Sequence, residues 1–420
     1  TEKKCCLSAF LKASAPSEHS PFQHHDGAVD TFECSSFTVR YSNRIDALGP
    51  EWDAAGPAAD LPLGRGYLRA LETAPPVGIA LGYLLFFYRT QAVGRAVVQY
   101  VHFAAADQIK SLREQAESGY SEQMKRALAQ HLRYRVLVCG NMLFTGEYAY
   151  TFDREHVDEA AAASLLEESL VRLVRRGGRW GAAVDAVLVK DIRSLRSDLK
   201  THFQTKGYHR IAFQPNMVLD LRPEWRSTAD YLDSMTSKYR IRARRAFKKA
   251  RALERRTLST REVSALEPRL YALYRAIAER ADFNMLTLHP QYFSTLKCAL
   301  PAQFQVTAYF RQERVVGFYS TLRNGARLEA HFLGFDPAVN RRHQLYLKML
   351  YDMIGEAIEA GAASIAFART ALEIKSSVGA RPVDMELLLR ANHPWFNKLV
   401  PSLIRLLEPR GAWTPRHPFK

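Results

Sequence analysis

The chain has 420 residues, 47% of them hydrophobic, and a formal net charge of +16 at pH 7. This length predicts two domains, and the composition is that of an ordinary globular protein. Five scattered cysteines exclude a disulfide framework and a zinc-binding pattern. The excess of positive charge predicts an anionic partner, such as a nucleic acid, a phosphate-bearing cofactor or a membrane surface. The alternative is a solvated basic surface that binds nothing in particular.

The beginning of the chain carries no apolar periodicity, and we expect a flexible leader at residues 1–36. His19, His24 and His25 cluster within it, but no carboxylate or thiol completes a site, so we expect no bound metal. No signal-peptide pattern occurs, and the longest apolar run, residues 77–88, is about half the length that spans a bilayer. The sequence thus predicts a cytoplasmic protein without stable membrane insertion.

The first half of the chain alternates strand and helix patterns. A charged segment of helical composition, residues 107–131, interrupts this order. Apolar residues of the predicted helix recur at the i, i+4 spacing, and Gly177 and Gly178 end it. The predicted elements are a strand at 37–45, a hairpin at 78–88 and 95–103, a strand at 135–141, a helix at 160–174 and a strand at 184–190.

The second half repeats this order of elements, although the residues themselves differ. Asn324-Gly325 favours a type I′ turn, because both residue types tolerate a positive φ. The predicted elements are strands at 306–310, 315–322 and 327–335, a helix at 345–359, strands at 364–369 and 382–389, and a helix at 395–407. A hairpin, a crossover helix and a further strand predict a mixed α/β sheet in each half.

Residues 237–250 have the most unusual composition in the chain, since they are rich in lysine and arginine. In a helix, Arg240, Arg244 and Lys248 lie along one face. Like charges at this spacing repel, so the helix gains from a bound anion or from facing carboxylates. A solvated basic face is the alternative. An interfacial membrane helix is a weaker one, because alanines stand where tryptophan, phenylalanine or leucine are expected.

The order of elements in the second half resembles the core of the acyl-CoA N-acyltransferase (GNAT) superfamily. Residues 371–380, Ala-Leu-Glu-Ile-Lys-Ser-Ser-Val-Gly-Ala, resemble a signature of its FemAB-like and BioF2-like branch, whose members contain two GNAT domains. The basic segment is similar to a helix at the junction of those domains. The resemblance implies an α/β protein of two tandem GNAT-like domains, at residues 37–210 and 211–420, with the basic helix at 237–256.

In the GNAT fold, two parallel strands separate, and the acyl donor lies in the gap. The resemblance implies that a carboxylate or histidine at this gap takes a proton from the acceptor amine. Glu373, supported by Lys375, is our first choice of base. Glu329 and His331 are the further candidates, because strand alternation places both on one face. The residues expected to bind substrate or donor are Lys238, Tyr239, Arg240, Arg244, Arg341, Arg342, Lys375 and Ser376. Weaker candidates in the first half are Cys139, Asn141, Thr145 and Glu147.

One departure from the GNAT pattern concerns the donor. The pyrophosphate loop of these enzymes contains glycines that let phosphates approach bare amides, but no glycine occurs at residues 336–354 or 151–158. Pyrophosphate binding would then depend on side-chain charge, for which Arg341 and Arg342 are placed. FemAB-like proteins share this loss, and some of them take the acyl group from aminoacyl-tRNA.

The resemblance leaves three functions open. The first is an N-acyltransferase that moves an acyl group from acyl-CoA or a carrier onto an amino group of a small molecule or peptide. The second is a Fem-type aminoacyl-tRNA-dependent transferase, which the net charge favours. The third is a non-catalytic binding protein on a degenerate GNAT scaffold. Either transferase would use acyl-CoA or aminoacyl-tRNA as a co-substrate and hold no permanent cofactor.

Overall fold

The computed structural model describes residues 27–56, 60–104, 133–177, 183–193, 197–212, 214–280, 286–407 and 413–420. Most of the expected leader, with its three histidines, and the charged segment at 107–131 lie outside the described residues. The end of the expected leader forms a strand instead, at Asp30–Cys34, because its residues pair in register with the next strand.

The strands in the described ranges are β1 (Asp30–Cys34), β2 (Phe37–Ser42), β3 (Ile79–Tyr88), β4 (Gln91–Ala104), β5 (Arg133–Cys139), β6 (Tyr150–Phe152), β7 (Ala186–Arg193), β8 (His209–Ala212), β9 (Asn216–Asp220), β10 (Glu254–Thr257), β11 (Phe304–Arg311), β12 (Arg314–Asn324), β13 (Arg327–Phe335), β14 (Ser364–Ala366), β15 (Arg381–Val383) and β16 (Met385–Ala391).

These strands form two mixed sheets, as the sequence predicted. The first sheet has the order β1-β2-β3-β4-β5-β7-β16-β8, with β6 paired to β4, and the second has the order β10-β11-β12-β13-β14-β9-β15. Each sheet contains antiparallel hairpins followed by one parallel pair, β5 with β7 and β13 with β14. The parallel partner is reached through a helical crossover in both halves, so the architecture is repeated.

Strand β16 joins the first sheet, although residues 385–391 fall within the expected second domain. It lies between β7 and β8 and pairs antiparallel with both. Its Met385, Leu387 and Leu388 are buried, as is typical of an apolar strand that pairs with a neighbour on each side. The second half of the chain therefore contributes one strand to the first sheet, which no local pattern indicates.

The helices in the described ranges are α1 (Glu51–Ala54), α2 (Arg65–Thr73), α3 (Glu159–Gly177), α4 (Ser197–Thr205), α5 (Thr228–Asp233), α6 (Ser237–Ala250), α7 (Thr260–Ala278), α8 (Tyr292–Ala299), α9 (Pro337–His343), α10 (Leu345–Glu359), α11 (Leu372–Ser376) and α12 (Pro394–Leu407). Short 3-10 helices lie at Ile45–Leu48 and Leu61–Leu63. Within these ranges, no helix combines the length and apolar character that crossing a bilayer requires.

A continuous hydrophobic core lies between the two sheets. It joins α2 and the loop after β5, through Tyr67 and Phe144, to α8 and β12 of the second half, through Tyr292 and Phe318. Helix α3 covers the outer face of the first sheet, and α10 covers the outer face of the second. The halves thus share one interior, and side chains of both sheets meet there.

Two local predictions differ from the structure. The basic helix α6 ends at Ala250, earlier than the expected 256, because the following residues pair with β11 as β10. The turn between β12 and β13 has Gly325 and Ala326 at its centre, since Asn324 pairs with Arg327. Only Gly325 has a positive φ, of 56°, which is the pattern of a type II′ turn.

Candidate active site

The parallel strands β13 and β14 separate after a short shared ladder. They pair only from Arg327 with Ser364 to Glu329 with Ala366. Strand β13 continues to Phe335, whereas the chain after Ala366 turns away through residues with positive φ, at 56° for Ala368. Glu329 therefore occupies the last paired position, at the point where the gap between the strands opens.

The Glu329 carboxyl group lies in the interior between the two sheets. Its residue is 4% exposed, and it accepts a hydrogen bond from the Tyr148 hydroxyl, which belongs to the loop after β5. Burial raises the pKa of Glu329 to about 7, although the hydrogen bond from Tyr148 and the charge of Arg327 both act to lower it. A carboxyl group with this pKa can accept and release a proton near neutral pH.

His331 lies two residues further along the same strand face. Its ring stacks on Tyr292, packs 5.0 Å from the Phe144 ring centroid, and its Nε2 lies 2.6 Å from the Tyr292 hydroxyl. Burial lowers the pKa of His331 to about 3, so the imidazole is neutral. The sequence paired Glu329 with His331 correctly on one face, but their partners come from remote elements.

Lys375 is buried at the base of the loop that turns away from β13. Its Nζ donates to the carbonyl oxygens of Phe367, Ala368 and Arg369 at 2.5 to 3.3 Å. Burial lowers the pKa of Lys375 to about 7. The neighbouring Ser376 hydroxyl donates to the Glu373 carbonyl and accepts from the Arg416 amide. Both side chains therefore fix the backbone beside the gap between the strands.

Glu373 lies on the surface of α11, away from the interior that holds Glu329. Its carboxylate accepts from the Thr414 amide at 3.3 Å and pairs with Arg416 at 3.3 Å. These two contacts, the Thr414 hydrogen bond first, hold the pKa of Glu373 below its usual value. A carboxylate stabilised in this way is a weaker proton acceptor than Glu329, which argues against our first choice of base.

A basic surface cavity of about 630 Å³ lies between α6, α11 and the C-terminal segment. Its charged lining consists of four cations and Glu373; the cations are Lys238, Arg242, Arg245 and Arg416. Tyr239, Ile241 and Ile374 complete the wall. Within the described structure, the three cations from α6 have no carboxylate partner. A cavity with this excess of positive charge suits a phosphate or carboxylate ligand.

Only some of the binding residues predicted on α6 line this cavity. Lys238 and Tyr239 line it as expected, but Arg240 turns toward Asp233, 3.8 Å away, and Arg244 is exposed outside it. The face that does line it follows the i, i+4, i+7 spacing of residues 238, 242 and 245, a signal that was present in the sequence. Arg416 comes from a remote segment, and no local pattern indicates it.

Helix α9 follows β13, where the sequence resemblance predicts a pyrophosphate site. The Asp336 side chain accepts from the amides of Ala338 and Val339, at 2.9 and 3.4 Å. The start of α10 is capped in a similar way, because Asn340 Oδ1 accepts from the Tyr346 amide. These amides are already hydrogen-bonded within the chain. Arg341 and Arg342 are both exposed on α9.

A buried ionic cluster between the halves was missed by the sequence analysis. Asp191 pairs with Lys190 and with Arg369 of the second half, and it accepts from the Gly146 amide at 3.0 Å. Lys190 also donates to the Phe144 carbonyl. The cluster fixes the loop that carries Tyr148. The available signal was a Lys-Asp pair interrupting the apolar run of β7.

The weaker candidates of the first half do not form a catalytic group in the described structure. Cys139 is buried, and burial raises the pKa of its thiol to about 12, so it is a poor nucleophile. Asn141 accepts from the Leu143 amide, the Thr145 carbonyl accepts from the Asn216 side chain, and Glu147 is exposed. Among the described residues, no cluster of three histidine, cysteine or acidic side chains could hold a metal ion.

Comparison with known proteins agrees with the repeated architecture. Residues 237–376 match the family model described as acetyltransferase (GNAT) domain. A tandem GNAT protein from the clavulanic acid biosynthesis pathway superposes with a TM-score of 0.51 at 12% identity, over 85% of this chain and 99% of that chain. FemX superposes with a TM-score of 0.48 at 12% identity, over 86% and 98%. No curated protein matches the chain.

Proposed function

Because the chain has a tandem GNAT fold and carries an acyltransferase domain of that class, we propose that it transfers an activated acyl group to an amine with Glu329 as the general base. The observation that carries the proposal is the position of Glu329, at the last paired residue before β13 and β14 separate. Its pKa near 7 is the second support.

The reaction requires that the acceptor ammonium lose a proton before its nitrogen attacks the acyl carbonyl. Glu329 accepts this proton, and Tyr148 holds the carboxylate by its hydrogen bond. The nitrogen then forms the new C–N bond while the bond from the acyl carbon to the donor's sulfur or oxygen breaks. The leaving group takes the second proton of the attacking nitrogen and departs as a thiol or hydroxyl. The side of β13 that no longer pairs with β14 faces the gap, so its backbone groups are placed to bind the donor.

The basic cavity supplies the binding part of the proposal. Lys238, Arg242 and Arg245 present unneutralised charge that attracts a phosphate-bearing donor or acceptor. Arg416 lines the same cavity from the C-terminal segment, and its ion pair with Glu373 holds it there. Acyl-CoA is the donor of GNAT domains and is our first assignment, bound through these side chains rather than through a glycine-rich loop.

Aminoacyl-tRNA is the second candidate donor. The amides at the start of α9 are capped by Asp336, which removes the usual pyrophosphate contact and disfavours CoA at that place. The net charge of +16 favours a nucleic acid. A non-catalytic binding protein remains the third candidate. Ligand binding without any turnover would favour it.

The donor is tested by thermal-shift measurements with acetyl-CoA, longer acyl-CoAs and charged tRNA, each at low and high salt. Stabilisation by a CoA thioester supports the first assignment, and salt-sensitive stabilisation by charged tRNA alone supports the second. Turnover is then measured with the stabilising donor and a panel of amines. Absence of stabilisation and of turnover with every donor would contradict acyl transfer.

Glu267→Gln is a matched control for the Glu329→Gln variant. Glu267 is also buried, and burial also raises its pKa, but it caps α8 by accepting from the Phe293 and Ser294 amides. Its substitution lowers stability and leaves the turnover of the folded fraction unchanged. Glu329→Gln removes turnover and leaves donor-induced stabilisation in place, which separates chemistry from binding.

A further inference from the structure

Helix α12 presents an apolar face to solvent. Three large hydrophobic side chains within five consecutive residues are exposed. They are Trp395, Phe396 and Leu399, at 74%, 57% and 60%. The other exposed large hydrophobic residues in the described ranges, Val29, Val77 and Ile241, lie far apart in the chain. Single exposed residues of this kind are ordinary, whereas a tryptophan, a phenylalanine and a leucine side by side form a contiguous apolar patch of a kind that is often functional.

The orientation of this face is fixed by the opposite side of the helix. Val400 is buried, and the Asn397 side chain accepts from the Ala391 amide and donates to the Gly207 carbonyl, both at 2.9 Å. These contacts attach α12 to β16 and to the turn before β8. The apolar face therefore points outward because of specific contacts, and rotation of the helix inward would break them.

The charged residues of α12 are all positive. Residues 387–407 contain no aspartate or glutamate, and α12 itself carries Lys398 and Arg405. The Lys398 ammonium lies 5.5 Å from the Trp395 ring centroid. The neighbouring carboxylate of Glu386 is neutralised by Arg210. An anionic partner at this face would thus meet the Lys398 cation and no acidic side chain of α12 itself.

We propose that α12 docks the protein on the surface of an anionic lipid bilayer, with Trp395, Phe396 and Leu399 inserted at the level of the headgroups. Aromatic and leucine side chains on one face, with lysine or arginine beside them, are the features of interfacial helices. A helix of 14 residues is roughly 21 Å long and does not span a bilayer core of about 30 Å, so α12 lies in the interface plane.

The size of the face favours a membrane over a second copy of the chain. The three side chains expose roughly 400 Å², which is about half of what one partner buries in a stable protein interface. A bilayer needs no complementary protein surface, and the cations add attraction to anionic headgroups. This inference does not depend on the proposed reaction, because α12 packs on β8 and β16, which carry none of the residues proposed for the reaction.

The test is flotation of the full chain with vesicles of phosphatidylcholine alone and of phosphatidylcholine with phosphatidylglycerol. The wild type binds the anionic vesicles, binding weakens as salt is added, and the tryptophan emission of the protein shifts to shorter wavelength. Trp395→Ser combined with Phe396→Ser and Leu399→Ser lowers the partition coefficient by at least about tenfold. Lys398→Gln lowers it by about fivefold on anionic vesicles only.

Val77→Ser is the matched control, because Val77 is 62% exposed and lies elsewhere on the surface. It binds vesicles like the wild type, and thermal melts verify that all variants are folded. Absence of wild-type binding to anionic vesicles would overturn the proposal, and so would equal binding by the triple variant. A wild-type dimer that becomes monomeric in the triple variant, without vesicle binding, would identify the face as an interface between copies instead.

Discussion

The hydroxyl group of Tyr148 donates a hydrogen bond to the carboxylate of Glu329, and the two residues belong to different halves of the chain. Tyr148 follows β5 in the first half, whereas Glu329 lies on β13 in the second. The carboxylate that we propose as the base is therefore complete only when the halves are packed together. The shared core and the Asp191 cluster hold them in this arrangement.

Tyr148→Phe should move the pH dependence of the reaction. The hydrogen bond from Tyr148 lowers the pKa of Glu329, so its removal raises that pKa. The rising limb of kcat/KM against pH then shifts to higher pH, while the rate at the plateau changes little. An unchanged pH profile in this variant would show that Glu329 is not the group that titrates.

Glu329 should also leave a pH signature in stability. Its folded pKa is about 7 and its usual value is near 4.5, so the folded state binds the proton more tightly. The stabilisation from the neutral carboxyl is complete below pH 4.5 and is lost as the pH rises through 7. Wild-type unfolding free energy should fall by roughly 3 kcal/mol over this window relative to Glu329→Gln.

Denaturant titrations of both proteins at pH 5 and pH 8 check this difference. From pH 5 to pH 8, the free energy of unfolding of Glu329→Gln should rise relative to that of the wild type, since an amide at this position carries no charge to bury. Parallel pH dependence of the two proteins would contradict a buried carboxyl group with a raised pKa.

The basic cavity should govern affinity rather than the chemical step. Arg242→Gln with Arg245→Gln removes two cations that have no carboxylate partner among the described residues, so KM for a phosphate-bearing substrate should rise by about tenfold or more. The dependence of this KM on salt concentration should also weaken. Lys249→Gln is the matched control, because Lys249 is exposed on the same helix and does not line the cavity. Equal effects of both variants would indicate only a general effect of net charge.

Asp191→Asn should destabilise the packing of the two halves. It leaves the charges of Lys190 and Arg369 buried without their carboxylate, and such a loss costs about 3 to 5 kcal/mol. Chemical denaturation measures this loss. Glu279→Gln, which breaks an exposed pair with Arg275, should cost less than about 1 kcal/mol. A similar small cost for Asp191→Asn would show that the cluster does not hold the halves together.

The local elements were predictable because each is encoded by neighbouring residues. The hairpins, the crossover helices and the parallel strands follow from apolar periodicity and turn residues, and the alternation of β13 placed Glu329 and His331 on one face. Strand β16 was not assigned to the first sheet, since its pairing with β7 depends on packing between residues far apart in sequence. The same reason explains why Arg416 and Tyr148 were not foreseen as site residues.

Our choice of Glu373 rested on its place in a motif, and a motif gives no burial. Glu373 lies on the exposed side of α11 beside Arg416, whereas Lys375 of the same motif is buried against three carbonyl groups. The difference between two residues of one short helix is set by which face packs on the sheet. Sequence spacing located the helix, but the tertiary contacts decide which of its side chains can take part in chemistry.

The most direct measurement is kcat/KM for acyl transfer by Glu329→Gln and by Glu373→Gln, each at several pH values. Glu329→Gln should lose about 100-fold to 10,000-fold of the wild-type value, and the limb near pH 7 should vanish. Glu373→Gln should keep that limb and stay within a few-fold of the wild type. Full activity of Glu329→Gln with an unchanged pH profile would contradict the account.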